Sequence, residues 1–464
     1  MLVKNWIWPL LAASQGAQAA LEYTNLCSPS PLPLESIKKA AAIVAKDLLD
    51  TYYNGDKPGF VPGILPGPPP DGDYYWWQGG ALWGTLLDYW HYTGDTQFNP
   101  IVKRAMMFQV GENADYNPRN WSASMGNDDQ SFWAFSAMLA TELGFEDPPK
   151  DKPQWAALVQ AVYNEQTAPE RRVTTPGHNC EWGLRWQVFP ANNGFDYINT
   201  IANGCYFNIA ARLARYFGNM TYAENAERTW NLITRLKYVD DQYNVYDGAH
   251  EGDQCTKINK FQFSYNAVIL LQGSAYMWNM TQKPEWEQRI NGLLDNIIKV
   301  FFPDKVAFEV ACEHATCTTD MESFKGYLHR WLASTTQLAP FTRDKIMPVL
   351  KSSTAAAVKL CTGGANGRMC GFKWSTGVFD ETGAMQQQNV IAALTSLLVG
   401  SAKGPLTNST GGTSVGNPNA GVDTPLTIEQ RFGKIGGGDR AGAAILTILI
   451  VGAASVMFWY MGTD

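Results

Sequence analysis

Two adjacent carboxylates, Asp128 and Asp129, stand in the run Gly126-Asn127-Asp128-Asp129-Gln130-Ser131-Phe132-Trp133, where an apolar segment begins. Neighbouring residues hold their Cβ atoms about 5 Å apart, near the separation at which a retaining glycosidase uses one carboxyl as nucleophile and the other as acid/base. At that distance and an effective dielectric near 20, two like charges repel by roughly 3 kcal/mol. That is enough to raise one pKa by about two, leaving one carboxyl protonated and its neighbour ionised near neutral pH. A helix starting here would favour the ionised member. The same spacing also suits a plain helix cap on Asn127 or Asp128.

Around this pair the sequence offers residues that could hold a sugar. The chain is rich in aromatic rings, with 17 Trp, 20 Tyr and 21 Phe. Trp76, Trp77, Trp133 and Trp374 could stack on pyranose faces, although large rings more often fill cores. Asp247, between Tyr246 and Gly248, suits sugar hydroxyls or a turn. Asn127 and Asn203 could also bind hydroxyls; Asn203 could instead steady the turn before Gly204. Lys325, between Phe324 and Gly326, could meet an anionic group such as a phosphate, or lie in solvent. His250 and His329 read as structural histidines. With five His and no H-E-x-x-H spacing, neither a metal nor another cofactor is expected.

These side chains need a scaffold, and apolar periodicity of 3.6 residues dominates the middle of the chain. It predicts twelve helices: Leu34–Tyr53, Trp77–Tyr92, Thr96–Glu112, Asp128–Gly144, Pro153–Gln166, Thr200–Phe217, Tyr222–Leu236, Phe261–Asn279, Pro284–Phe301, Met321–Leu338, Arg343–Leu360 and Thr382–Leu398. Pro100, Pro153 and Pro284 lie near helix starts, and Gly94, Gly144 and Gly218 at or just past ends. Helix pairs recurring at roughly 55–60 residues suggest an all-α closed (α/α)6 barrel, with a two-layer helical bundle as the alternative. The long loops at Gly55–Gly72 and Pro169–Asn199 should form one functional rim.

The ends of the chain indicate a compartment. Met1 to Ala19 reads as a secretory signal peptide, with Lys4, an apolar stretch and Ala17-Gln18-Ala19. Residues 20–400 would be the catalytic domain and 401–438 a Gly/Ser/Thr-rich flexible stalk. Residues 439–464 read as the propeptide of a glycosylphosphatidylinositol (GPI) signal, with the attachment residue between Gly433 and Gly438. A permanent transmembrane helix is the alternative. The expected location is the outer face of the plasma membrane, facing a cell wall. Four sequons, at Asn120, Asn219, Asn279 and Asn408, agree with secretion. Eight cysteines allow up to four disulfides. Cys312/Cys317 and Cys361/Cys370 could close local loops, leaving Cys27, Cys180, Cys205 and Cys255 for longer staples. A net charge of −7 gives no electrostatic footprint for nucleic acid.

Several motifs together resemble a known family. They are Trp76-Trp77-Gln78-Gly79-Gly80, Gly126–Trp133, Gly194-Phe-Asp-Tyr-Ile-Asn-Thr-Ile-Ala-Asn-Gly204, Val245-Tyr-Asp-Gly248, Phe261-Gln-Phe-Ser-Tyr-Asn266, Phe324-Lys-Gly326 and Cys370-Gly-Phe-Lys-Trp374. With them the chain resembles glycoside hydrolase family seventy-six, the endo-α-1,6-mannanases, over roughly residues 25 to 400. It is most similar to the fungal GPI-anchored branch, which joins GPI proteins to cell-wall glucan. The resemblance implies an (α/α)6 fold, Asp128 as nucleophile and Asp129 as acid/base; the residues alone leave those two roles open. It also implies a monomeric retaining transglycosylase with an α-mannoside of the GPI core glycan as donor and wall glucan as acceptor. The alternatives are an endo-α-1,6-mannan hydrolase and a non-catalytic cell-surface glycan-binding protein.

Overall fold

A computed structural model describes residues 34–422 and 436–462. Two units are distinct, one ending at Gly421 and the other beginning at Val422. The first contains twelve long helices. Six form an inner ring: α2 (Trp76–Thr93), α4 (Asn127–Leu143), α6 (Thr200–Phe217), α8 (Ser264–Thr281), α10 (Phe324–Leu338) and α12 (Ala384–Ser396). Each packs on the next, and α12 returns to pack on α2, so the ring is closed. The other six lie outside it: α1 (Leu34–Tyr52), α3 (Asn99–Phe108), α5 (Trp155–Thr167), α7 (Met220–Arg235), α9 (Pro284–Phe301) and α11 (Arg343–Lys359). The fold is an (α/α)6 barrel.

Burial explains which helix goes where. Fifteen of the 18 residues of α2 are buried, because an inner helix is covered on both faces. In α9 only seven of 18 are buried, and the six apolar ones share one stripe, as an amphipathic outer helix requires. The helices end where Gly94, Gly144 and Gly218 take left-handed backbone, as the sequence predicts. Three expected starts shift by three residues, the first being α3, which begins at Asn99 rather than Thr96. Helix α8 begins at Ser264 rather than Phe261, because Phe263 is still extended and Asn259 upstream bridges to Gly248 at the edge of a short two-stranded sheet. Its strands, β1 (Tyr197–Asn199) and β2 (Gly248–His250), pair antiparallel with Ile198 opposite Ala249. Helix α10 begins at Phe324, after a 3-10 turn at Met321–Ser323.

The inner helices start at one end of the barrel and finish at the other. At the finishing end the interior is closed by buried ion pairs, Arg212–Glu142 at 2.6 Å and Arg330–Asp88 at 2.5 Å. The Tyr276 hydroxyl also donates to Glu142 (2.9 Å). The starting end is open.

The expected stalk needs correcting over its first half. Residues 403–421 belong to the barrel unit and lie along it as an ordered strap. The Leu406 N–H donates to the Glu142 carbonyl, Asn408 to that of Tyr216, and Asn417 to Gln160 Oε1. Asn164 Nδ2 donates to the carbonyls of Pro418 and Ala420. A Gly/Ser/Thr/Asn composition is ordered here because its backbone groups find partners on α4, α5 and α6.

Disulfides Cys312–Cys317 and Cys361–Cys370 form as expected, and Cys180–Cys255 joins two loops at the open end. These three bonds fit a secreted protein. Cys205 is no staple; it is a buried thiol in the first turns of α6. Cys27 and the expected signal peptide lie outside the described residues. Asn120, Asn219 and Asn408 are exposed, as glycan acceptors must be. Asn279 is not free in this way. Its Nδ2 donates to the Leu338 carbonyl (2.9 Å) while its Oδ1 accepts from Arg215 (2.8 Å). In the second unit, α13 (Gly437–Met461) is a 25-residue apolar helix long enough to cross a membrane.

Candidate active site

The start of α4 is built by its neighbours. Gly126 is extended, and its N–H donates to Asp129 Oδ2 (2.7 Å), which turns that carboxylate back over the helix end. The Asn127 N–H donates to the Trp186 carbonyl and its Nδ2 to the Arg185 carbonyl, both at 2.8 Å. The loop between α5 and β1 is therefore stitched to this helix start, and it delivers Trp186. The Trp186 indole N–H donates to Asp128 Oδ2 at 3.0 Å. Gly194, with φ of 83°, leaves room for that indole; a Cβ there would sit 2.5 Å from Trp186 Cε3.

Gly126 is required for its missing side chain. A methyl group on it would collide with Asp128 Oδ1 and lie 3.3 Å from Asp129 Oδ2. The two carboxylates thus converge on one point. Those two oxygens are closer together than the roughly 6.5–9.5 Å between the carboxyls of an inverting pair.

Both carboxylates line a cavity of about 630 Å³ at the open end of the barrel. Its floor and walls come from the starts of α2, α4, α6, α8 and α10, from the loop carrying Trp186, and from the β1–β2 strand pair. Four Asp (128, 129, 247 and 320) line it and, among the described lining residues, no Lys, Arg or His. Burial dominates their chemistry. It pushes Asp128 up to about 7, although backbone N–H groups at the helix start and the Trp186 indole pull it back. Asp129 is raised well above the usual carboxylate range, by burial and then by the neighbouring Asp128 charge. Asp320 rises to about 6, again by burial, against the pull of the Trp77 indole. Asp247 is raised by burial, with the Tyr197 hydroxyl opposing. Burial and the mutual repulsion of the two charges thus favour a proton held by the Asp128–Asp129 pair.

Of the residues singled out from the sequence, Asp128, Asp129, Trp76, Trp77 and Asp247 meet at this cavity. Trp77 packs on Phe132 at 4.5 Å between centroids, and its indole N–H donates to Asp320 Oδ1 (3.1 Å). Trp76 donates to Gln109 Oε1 (2.8 Å). Asp247 Oδ2 accepts from the Tyr197 hydroxyl (2.7 Å).

The others lie elsewhere. Trp133 is fully buried behind Trp76, with centroids 5.2 Å apart, and cannot reach a sugar. Trp374 is buried in the core, its indole donating to the Gly371 carbonyl (3.1 Å). Lys325 is neither a rim cation nor a solvated one. It is 0% exposed, 2.8 Å from Glu313, and donates to the Phe372 carbonyl (2.7 Å). Asn203 is buried and pairs with both backbone groups of Leu184, so it braces the loop rather than a ligand. Asn127 is buried too, its Oδ1 accepting from Arg171 (2.6 Å). His329 is structural as expected, bridging the Lys325 carbonyl and Ser353 Oγ. His250 is half exposed and sits 3.1 Å from Asp196.

Sequence reasoning missed Trp186, Asp320, Tyr197 and the stacked pair Tyr265–Phe324, whose centroids are 3.9 Å apart. Trp186 and Tyr197 lay within the loop expected to form a rim. Asp320 carried only the weak signal of an acid just before a helix.

A model of the family described as glycosyl hydrolase family 76 matches residues 36–409. The mannan endo-1,6-alpha-mannosidase DCW1 of Candida glabrata is 42% identical over 422 residues, covering 89% of this chain and 91% of that protein. Its counterpart DFG5 of Saccharomyces cerevisiae is 39% identical over 422 residues, covering 90% of each. The crystal structure of Dfg5 from Chaetomium thermophilum, in complex with glucosamine, superposes with a TM-score of 0.81 at 52% identity, over 83% of this chain and 96% of that one. The GH76A alpha-1,6-mannanase of Salegentibacter shares the fold, with a TM-score of 0.61 at 14% identity over 78% of this chain and 98% of that one. With the match spanning the whole barrel, this chain belongs to glycosyl hydrolase family 76.

Proposed function

We propose that this glycoside hydrolase cleaves α-1,6-linked mannosides with retention of configuration, using Asp128 as nucleophile and Asp129 as acid/base. The observation that carries this reading is the close approach of two carboxylates that both line one aromatic-walled cavity. Asp128 ionises first, because helix-start N–H groups and the Trp186 indole stabilise its charge. It attacks the anomeric carbon while Asp129 gives its proton to the leaving oxygen. A covalent mannosyl-enzyme forms and the leaving sugar departs. Asp129, now ionised, accepts a proton from an incoming hydroxyl, which displaces Asp128 and restores the α-anomer. The mannan endo-1,6-alpha-mannosidase names of the relatives support the substrate class.

The incoming hydroxyl can belong to water or to a sugar. We favour transfer, with the donor an α-mannoside of a GPI core glycan and the acceptor a wall glucan. Water is abundant, so transfer requires an acceptor held at high effective molarity, and aromatic walls suit that purpose. The apolar helix α13 supports a GPI signal in a chain held at the outer membrane face. A monomer would suffice, since the whole site lies within one chain.

The test uses Asp128→Asn and Asp129→Asn. Each should lower cleavage of an α-1,6-mannotetraose at least 100-fold with unchanged circular dichroism. A variant retaining more than a tenth of the wild-type rate would remove that residue from the mechanism. Adding millimolar glucan oligosaccharide should divert product into a donor–acceptor conjugate; free mannosides alone would favour the hydrolase.

A further inference from the structure

The motif Phe261–Asn266 is not used by the mechanism above, yet its side chains climb from the cavity to its mouth. Tyr265 lies at the wall, stacked on Phe324 with an interplanar angle of 9°. Phe263 lines the cavity next, 6.1 Å from Tyr265 between centroids. Phe261 follows at 6.3 Å from Phe263 and is 58% exposed. Phe261 and Phe263 alternate along extended chain and Tyr265 follows in the first turn of α8, so three rings stand in a row, ending in solvent.

The outermost ring is not a frayed loop tip. The Asn259 N–H donates to the Gly248 carbonyl (2.7 Å), and the Asp247 N–H donates to the Asn259 carbonyl (3.1 Å). Asn259 Nδ2 donates to Asp247 Oδ2 (3.2 Å), and its Oδ1 accepts the Phe261 N–H (3.2 Å). Phe261 is therefore tied through one asparagine to Asp247, a residue of the cavity itself. A large apolar ring held rigidly in water loses hydrophobic free energy and gains nothing for the fold. It is pre-organised for a partner.

We infer that Phe261 and Phe263 form a distal pyranose platform, which favours glycans long enough to extend past Asp247. Neutral hexose chains suit it, since each residue offers an apolar C–H face to a ring and hydroxyls to flanking groups. Asn259 and Asp247 stand beside the rings to receive those hydroxyls. A protein or lipid partner would call for a broad apolar patch, whereas Phe261 stands alone among exposed polar residues such as Asn259 and Lys260. This inference rests on the mannoside reading above and adds chain-length selectivity to it.

The experiment measures KM and kcat of wild type and Phe261→Ala on α-1,6-mannooligosaccharides from the dimer to the hexamer. One stacked ring is worth about 1 kcal/mol, or roughly five-fold. KM for the hexamer should rise about five-fold, with kcat unchanged and the kinetics of the shortest cleaved substrate unaffected. Phe261→Trp should restore wild-type KM. Equal changes at every length, or none at any length, with wild type active, would overturn the platform alone. A wild type that cleaves no mannoside of any length would overturn the proposed function and the platform with it.

Discussion

The indole N–H of Trp186 reaches Asp128 Oδ2 at 3.0 Å across a sequence separation of 58 residues. A loop residue thereby holds one carboxylate of the pair in place and stabilises its charge. Replacing it by phenylalanine keeps the ring and removes the donor. Asp128 then loses a group that lowers its pKa, so it ionises at higher pH. Trp186→Phe should shift the acid limb of the kcat/KM profile upward and lower the rate at neutral pH about ten-fold. An unmoved acid limb would show that the indole does not act on Asp128.

Gly126 tests the convergence itself. Its missing side chain is what lets Asp128 Oδ1 occupy its position. Gly126→Ala should displace that carboxylate and cut kcat about 100-fold, because misplacement of about 1 Å is enough for such a loss. Circular dichroism and melting temperature should change little, since Gly126 precedes the helix and is extended. Loss of the fold would mean that the glycine serves packing instead.

Asp320 should cost stability for the sake of the site. Its carboxyl titrates at about 6 in the folded protein, against an ordinary value of 3.8. Between those pH values the native state binds more protons than the unfolded chain, so its contribution falls as pH rises through that window and stays low above it. Asp320→Asn should therefore stabilise the protein at pH 7.5, by up to about 2 kcal/mol, and by much less at pH 4. Thermal unfolding at the two pH values gives the comparison. Equal effects at both would contradict the burial argument.

The strap predicts a difference between two truncations. A chain ending at Gly421 keeps the contacts of residues 403–421 with Glu142, Tyr216 and Gln160. It should be released from membranes with its melting temperature unchanged. A chain ending at Ala402 exposes those partners and leaves buried polar groups unpaired, each costing about 1–3 kcal/mol. Its melting temperature should fall by several degrees. Equal melting temperatures would make residues 403–421 a tether after all.

The barrel was legible because the outer helices carry an apolar stripe and the inner ones are long apolar runs bounded by Gly and loop residues, and the pair Asp128–Asp129 because its partners are adjacent in sequence. What surrounds the pair was less so. Asp320 is 243 residues from the indole it accepts, and only the closed ring brings the two together. Lys325, Asn203, Trp133 and Trp374 have suitable chemistry, but no sequence pattern tells that each already has its partner inside the protein. Composition misled at residues 403–421, where polar residues that would otherwise be solvated found acceptors and donors on the barrel.

The most direct test of the mechanism is the configuration of the first product. Proton NMR, recorded within the first minutes of α-1,6-mannotetraose cleavage, distinguishes the two anomers before mutarotation mixes them. A double displacement at converging carboxylates predicts that the α-anomer appears first. Initial release of the β-anomer would mean a single inverting displacement, and would contradict the roles assigned to Asp128 and Asp129.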